Sequence, residues 1–199
     1  MPRHPDPGLE ERILNAAQRL WKKGAEEALT MRAVAKAAGT NTPAVYRRFR
    51  NRDHILQALL RRVQKDVVDV MQPCQSPEEA CEKYLEYALS HSHEYELFFE
   101  HAYQLPLVSK HDRAPLRESR PTMALMEEKL ALRLGGVPQD HTYLSLALWT
   151  TTHGTAMILI SKAIPDHIRP QLRSAFASAV NTLIRNASGL ASQKPAGRG

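Results

Sequence analysis

Apolar residues along the chain recur mainly at spacings of three and four, and Gly and Pro break the pattern into about nine segments. Leu9 to Lys23 puts Ile13, Leu14, Ala17, Leu20 and Trp21 on one face and stops at Gly24. Thr30 caps a short helix, Met31 to Ala38, and a second short helix runs from Thr42 to Phe49. A long helix follows from Arg52 to about Met71, with Ile55, Leu56, Leu59, Val63, Val67 and Val70 as its stripe. Ser76 and Pro77 begin another, with Glu78 and Glu79 in its first turn, reaching about Ser90. Glu94 to Gln104 is short and aromatic, Leu105 to Ser119 is a polar connection, and Pro121 to Leu134 ends at Gly135 and Gly136. Thr142 to Ala163 is apolar nearly all round and reads as buried. After the break at Pro165 to Pro170, Gln171 to Ala187 is amphipathic through Leu172, Phe176, Val180, Leu183 and Ile184. Strand alternation and repeats are lacking, so the pattern predicts an all-α fold. Its expected organisation is a loose arm (1–8), a three-helix domain (9–52), a larger helical domain (53–188) and a disordered tail (189–199).

Residues 30 to 56, TMRAVAKAAGTNTPAVYRRFRNRDHIL, carry the most specific signal. Val34, Ala35 and Ala38 form an apolar stripe, and the two alanines are small enough for a second helix to cross closely. Gly39 sits where the first helix must stop, a position that favours positive φ. Asn41 is a good N-cap, and Pro43 falls in the first turn of the next helix, where a missing N–H costs little. Val45 and Phe49 face inward. Thr42, Ala44, Arg47 and Arg48 are left on the outer and flanking faces. Asn51 caps the long helix, with Asp53 in its first turn to suit the dipole. This is the layout of a helix-turn-helix that reads DNA.

Charge agrees. The net charge is +6 over 199 residues, yet residues 1–62 hold 13 Lys+Arg against 6 Asp+Glu, whereas residues 63–199 hold 14 against 15. The whole excess lies with the helix-turn-helix, which points to nucleic acid at one end of the chain and competes with the plainer reading of a solvated charged face. No run of ~18 apolar residues predicts a membrane span. The first residues lack an apolar stretch of the signal-peptide kind, so a cytoplasmic protein is expected. Cys74 and Cys81, seven apart and without CxxC spacing, read as free thiols, with a redox-sensing pair as the alternative. There is no G-x-S-x-G elbow, no phosphate-binding Gly loop and no HExxH, so an enzyme is not expected. His91, His93, His101 and His153 do not form a converging ligand set, and neither metal nor cofactor is expected.

In the second half, Tyr84, Tyr87, Phe98, Phe99, Tyr103, Met123, Met126, Trp149 and Met157 recur at helical spacings. Each alone suits a core. Together they suit a cavity between helices for a hydrophobic or aromatic small molecule, with His153 as a polar group. Gly154 and Ala156 permit close helix approach. Leu172, Phe176, Val180 and Leu183 form a face that either packs within the chain or joins a second copy in a homodimer.

The chain resembles the TetR (tetracycline-repressor-like) family of transcriptional regulators. The residues carrying the resemblance are Ile13–Leu14–Ala16–Ala17, Leu29–Thr30, Val34–Ala35, Ala38–Gly39, Val45–Tyr46–Arg47–Arg48–Phe49 and Asn51–Arg52–Asp53 with Leu56. Trp149 and His153–Gly154 also resemble the Trp-x-x-x-His-Gly pattern of one C-terminal domain type in that family. The resemblance implies a homodimer on a near-palindromic double-stranded operator, released when a small molecule occupies the larger domain. It implies phosphate contacts from Tyr46, Arg52 and Thr30, and base-edge positions for Thr42, Pro43, Ala44 and Arg47. Position 40, usually a small aliphatic residue, is Thr. Pro43 offers no donor and limits base reading there to an apolar contact. Arg47 remains open between a guanine and, like Arg48, a phosphate. A non-specific architectural DNA binder is the rival reading.

Overall fold

Nine α-helices and two short 3₁₀ turns account for the regular structure of the described residues, with no strand among them. The computed structural model describes residues 6–24, 28–101, 120–161 and 163–187. Residues 1–5 of the expected arm, Tyr103, the whole 105–119 connection and the 189–199 tail lie outside these. The helices are α1 (Leu9–Gly24), α2 (Met31–Ala37), α3 (Thr42–Tyr46), α4 (Arg52–Met71), α5 (Pro77–Ser90), α6 (Ser92–His101), α7 (Pro121–Leu134), α8 (Thr142–Ile160) and α9 (Arg169–Arg185). The 3₁₀ turns are Pro138–His141 and Asp166–Ile168.

Two units share these helices, and the division falls inside α4, after Val63. The first unit takes the described residues up to Val63 and those from Leu97 to His101; the second takes Gln64–Glu96 and those from Arg120 onward.

The first unit is built around the stripes that the sequence pattern picks out. Ile13, Ala16, Ala17 and Trp21 of α1, Val34 and Ala35 of α2, Val45, Phe49, and Ile55, Leu56, Leu59 and Leu60 of α4 form one buried cluster. Each large apolar side chain there contributes about 1.5–3 kcal/mol of burial. Polar fasteners hold the helices at its edge. Arg62 on α4 donates from Nη1 to Asn15 Oδ1 (2.7 Å) and Gln18 Oε1 (3.0 Å), and from Nη2 to Glu11 Oε1 (2.8 Å), all on α1.

The α2–α3 turn follows from Gly39. The Thr40 N–H donates to the Ala35 carbonyl (3.0 Å) and the Gly39 N–H to the Lys36 carbonyl (3.3 Å), the paired bonds of a Schellman stop. That closure needs φ of 66° at Gly39. A Cβ built there meets nothing within 4 Å, so only backbone conformation resists substitution. Gly39→Val is therefore expected to lower unfolding free energy by about 1–3 kcal/mol, and Gly39→Asn by well under that. Urea titrations of the two variants check it; equal losses would put the cause in packing.

In the second unit α8 packs against α5, α7 and α9, over buried Leu85, Leu130, Leu148, Ala156 and Leu159. Its threonines turn inward on the helix itself: Thr151, Thr152 and Thr155 hydroxyls donate to the carbonyls of Ala147, Leu148 and Thr151, each at 2.8 Å. Buried Lys129 of α7 donates from Nζ to the Gln72 (3.1 Å) and Cys74 (2.6 Å) carbonyls, satisfying the C-terminal end of α4. Two expectations change here. The apolar helix ends at Ile160, where Ser161 caps it, and it is not buried all round, since Tyr143, Met157 and Ile158 are 48%, 37% and 45% exposed. Conversely Phe176 and Val180 are buried within their own unit, so they do not form a face for a second copy. Periodicity identified their stripe; the partner that covers it is the chain itself.

Candidate functional site

Two places gather functional side chains, one in each unit. In the first, the recognition helix is assembled by caps. Asn41 Oδ1 accepts the Ala44 N–H at 2.9 Å, with Pro43 in the first turn, and Arg47 is the C-cap, its N–H donating to the Pro43 carbonyl at 3.2 Å. The helix is shorter than the pattern predicts, ending at Tyr46 and not Phe49; the Arg48 N–H donates to the Val45 carbonyl at 3.0 Å, the tighter spacing of a closing turn. Val45 and Phe49 point into the core, which leaves Pro43, Tyr46, Arg47 and Arg48 exposed and Thr42 half-buried. Tyr46 is 54% exposed, which removes the core reading of that ring.

The flanking groups are held too. Thr30 Oγ1 accepts the Ala33 N–H at 3.1 Å as N-cap of α2, and the Thr30 N–H donates to the Ala28 carbonyl at 3.0 Å. The backbone donor is thus spent, and the hydroxyl proton is what Thr30 can offer a phosphate. Asn51 Oδ1 accepts the His54 N–H at 2.9 Å, while the Arg50 N–H donates to His54 Nδ1 at 3.3 Å. Arg48 Nη2 donates to the Asp6 carbonyl at 3.4 Å. Arg12, bonded to Asp6 at 2.6 Å, holds that carboxyl below the usual carboxylate range.

In the second unit a cavity of about 20 Å³, room for roughly one water, lies among Met71, Cys81, Tyr84, Met123, Met126 and Trp149, with Thr122, Ser145, Leu148 and Thr152 completing its wall. Beside it the Tyr95 hydroxyl donates to Tyr84 Oη (3.1 Å) and lies 2.8 Å from His153 Nδ1. The indole of Trp149 stacks on the His153 ring, centroids 5.4 Å apart and planes 3° from parallel. Burial pulls the His153 pKa down and pushes that of Tyr95 up, so the network is uncharged at neutral pH. Burial also pushes the Cys81 thiol up to about 12, which keeps it protonated and a poor nucleophile. Cys74 and Cys81 are both free and buried. Among the described residues no group of three or more His, Cys, Asp or Glu could hold a metal ion, and no helix is long and apolar enough to cross a membrane.

Residues 13–59 match the family described as bacterial regulatory proteins, tetR family, and residues 78–183 match the tetracyclin repressor-like C-terminal domain. The chain belongs to the TetR family of transcriptional regulators. Solved structures share the fold of this TetR-family chain at low identity. A protein of unknown function from Rhodococcus sp. RHA1 has a TM-score of 0.66 at 18% identity, covering 96% of this chain and 100% of that one. A transcriptional regulator from the same organism has 0.63 at 20%, covering 88% and 96%. The multidrug binding protein EbrR, complexed with imidazole, has 0.62 at 21%, covering 92% and 93%. No curated protein matches the sequence significantly.

Within this TetR-family frame the expected site residues divide. Thr30, Pro43, Tyr46, Arg47 and Arg48 are exposed, and Thr42 is half-buried. Ala44 is a correction: it is 4% exposed, so its methyl is not offered to base edges. Arg52 is half-buried, with Nε and Nη2 covered, which narrows its approach to a phosphate. The cavity brings together Tyr84, Met123, Met126 and Trp149, and reaches His153 through Tyr95. It does not include Phe98, which packs on the core of the first unit, or Phe99, whose ring meets Phe98 edge-on at 5.1 Å. Tyr87 is buried against His91, ring centroids 4.4 Å apart, and takes no part either. The sequence reading passed over Tyr95, Met71 and Cys81. Tyr95 stands between Glu94 and Glu96, which disguises an inward aromatic as part of a polar face. Arg32, Lys36 and Arg50, also passed over, are exposed cations of the first unit.

Proposed function

We propose that this regulator is a ligand-responsive repressor that binds a near-palindromic operator as a homodimer and leaves it when a small, apolar or aromatic molecule occupies the second unit. One observation carries the DNA reading. Tyr46, Arg47 and Arg48 are exposed directly over the buried Val45 and Phe49, in the part of the chain that holds all the excess positive charge. Two such helices must stand ~34–36 Å apart, or a multiple, to enter successive major grooves. Tyr46, Arg48 and the Thr30 hydroxyl serve as phosphate contacts, and Thr42, Pro43 and Arg47 face the bases.

Release needs an element that both sites bias. The single helix α4 begins at Arg52, after the recognition helix, and its last residue, Met71, lines the cavity. A ligand that displaces Met71 acts on the same helix that carries the DNA-binding end, and favours the dimer geometry that fits DNA poorly.

Selection of bound duplexes from a random pool in dilute buffer tests the reading. The expected result is enrichment of two inverted half-sites with a steep salt dependence. Equal affinity for every duplex would favour an architectural DNA binder, and failure to retard any duplex would overturn the proposal.

A further inference from the structure

The cavity of the second unit is walled largely by sulfur. The chain has six methionines and two cysteines, and four of these side chains, Met71, Cys81, Met123 and Met126, line it. Three helices bring them together. Met71 is the last residue of α4, Cys81 lies on α5, and Met123 and Met126, three apart on α7, share one face. The Cys81 thiol is hydrogen-bonded to the side chain of Thr152, on α8. Met71 and Cys81 are buried, whereas Thr122, Met123 and Trp149 are half-buried, so the wall is nearest solvent where α7 and α8 supply it.

Size, donors and charge each narrow the occupant. A space of about 20 Å³ admits roughly one water or one bare ion. None of the ten lining residues is Asp, Glu, Lys, Arg or His, so the wall lacks both the carboxylates that hard ions take and the imidazoles that suit zinc. Thioether and thiolate donors select Cu(I). The wall can supply one negative charge, the Cys81 thiolate. That balances a single positive charge, and any higher charge would stay uncompensated in a buried site.

We infer that the cavity is a binding site for one soft monovalent metal ion of the copper(I) class, held by the thioethers of Met71, Met123 and Met126 and the thiolate of Cys81. On binding, the Cys81 S–H bond breaks, a sulfur–metal bond forms and the proton leaves to solvent; no electron is transferred. The ion replaces the proton that burial otherwise keeps on Cys81, so ion and thiolate together add no net charge. Methionine side chains are unbranched, and their sulfurs turn onto an ion without moving the helices. The site goes beyond the organic effector proposed above, and ion and effector would compete at Met71. Ion binding and operator release are measured separately, so either reading can fail alone.

Silver(I), a redox-stable ion of the same class, is the probe, in chloride-free buffer with excess free histidine to strip ions from surface imidazoles. Cys74→Ser, which removes the thiol outside the wall, is the background. Native mass spectrometry of this full-length chain is expected to show one silver ion retained and no zinc(II) under the same conditions. X-ray absorption at the silver edge is expected to show three or four sulfur neighbours. Cys81→Ser, and separately Met123→Leu with Met126→Leu, are expected to weaken silver binding by at least about tenfold, since even the outer partners of a metal are worth that much. Leu and Met have similar volumes, so the double variant keeps its fold, which thermal melting checks. Should it unfold, the sulfur count in the background chain decides alone. No bound silver, equal retention of zinc, nitrogen or oxygen neighbours in place of sulfur, or unchanged affinity in the folded double variant would each overturn the assignment.

Discussion

Arg47→Ala is expected to cost about 1–3 kcal/mol of operator affinity, roughly 5- to 150-fold, with the loss concentrated at one base position. Arg47 is the C-cap of α3 and fully outside the core, one residue after exposed Tyr46. An arginine there can reach a guanine edge bidentately, and such a pair discriminates among bases in a way a phosphate contact does not. Arg48 is the internal control. Its guanidinium already donates to the Asp6 carbonyl, and as a phosphate contact Arg48→Ala should weaken all operator variants evenly and reduce the salt slope by about one unit. Titration of both variants against single-base operator changes separates the two roles. A uniform loss for Arg47→Ala, matching that of Arg48→Ala, would reassign Arg47 to the backbone.

Local chemistry was legible in the sequence wherever one residue decides the outcome. Thr30, Asn41, Asn51 and Ser76 cap the helices they were expected to cap, because a short acceptor before an apolar stripe has few other uses. Gly39 adopts positive φ for the same kind of reason. What was not legible depends on the neighbour. The small side chain of Ala44 suits either a base edge or a close helix crossing, and the spacing is the same for both. Phe176 and Val180 lie on an apolar stripe whichever protein surface covers it. Phe98 is three residues from Tyr95 on α6, yet it packs with the first unit while Tyr95 bonds to Tyr84 and His153 in the second. A helix that contributes to two cores shows one continuous pattern. The cavity wall is drawn from α4, α5, α7 and α8, and no local spacing encodes that meeting.

Ile158→Glu is expected to leave the chain monomeric at micromolar concentration and to lower operator affinity by about 10²–10⁴-fold, the gain that joining two half-site contacts supplies. The reason lies in α8. No charged residue occurs from Thr142 to Ile160, yet Tyr143, Met157 and Ile158 are substantially exposed. A Cβ placed on Gly154, one turn before Ile158, meets nothing within 4 Å, so the helix backbone is open to close approach there. On the twofold reading this outer face, with half-buried Leu172 and Leu183 of α9, meets its copy in the manner of interfaces that bury about 1,200–2,000 Å². A carboxylate at position 158 is solvated in the single chain, and unfolding free energy should change by less than about 0.5 kcal/mol. Between two copies it would be buried without a partner, which costs several kcal/mol. Sedimentation equilibrium, thermal unfolding and operator titration of the same preparation read the three effects separately. A dimer with unchanged affinity would move the interface away from the outer face of α8.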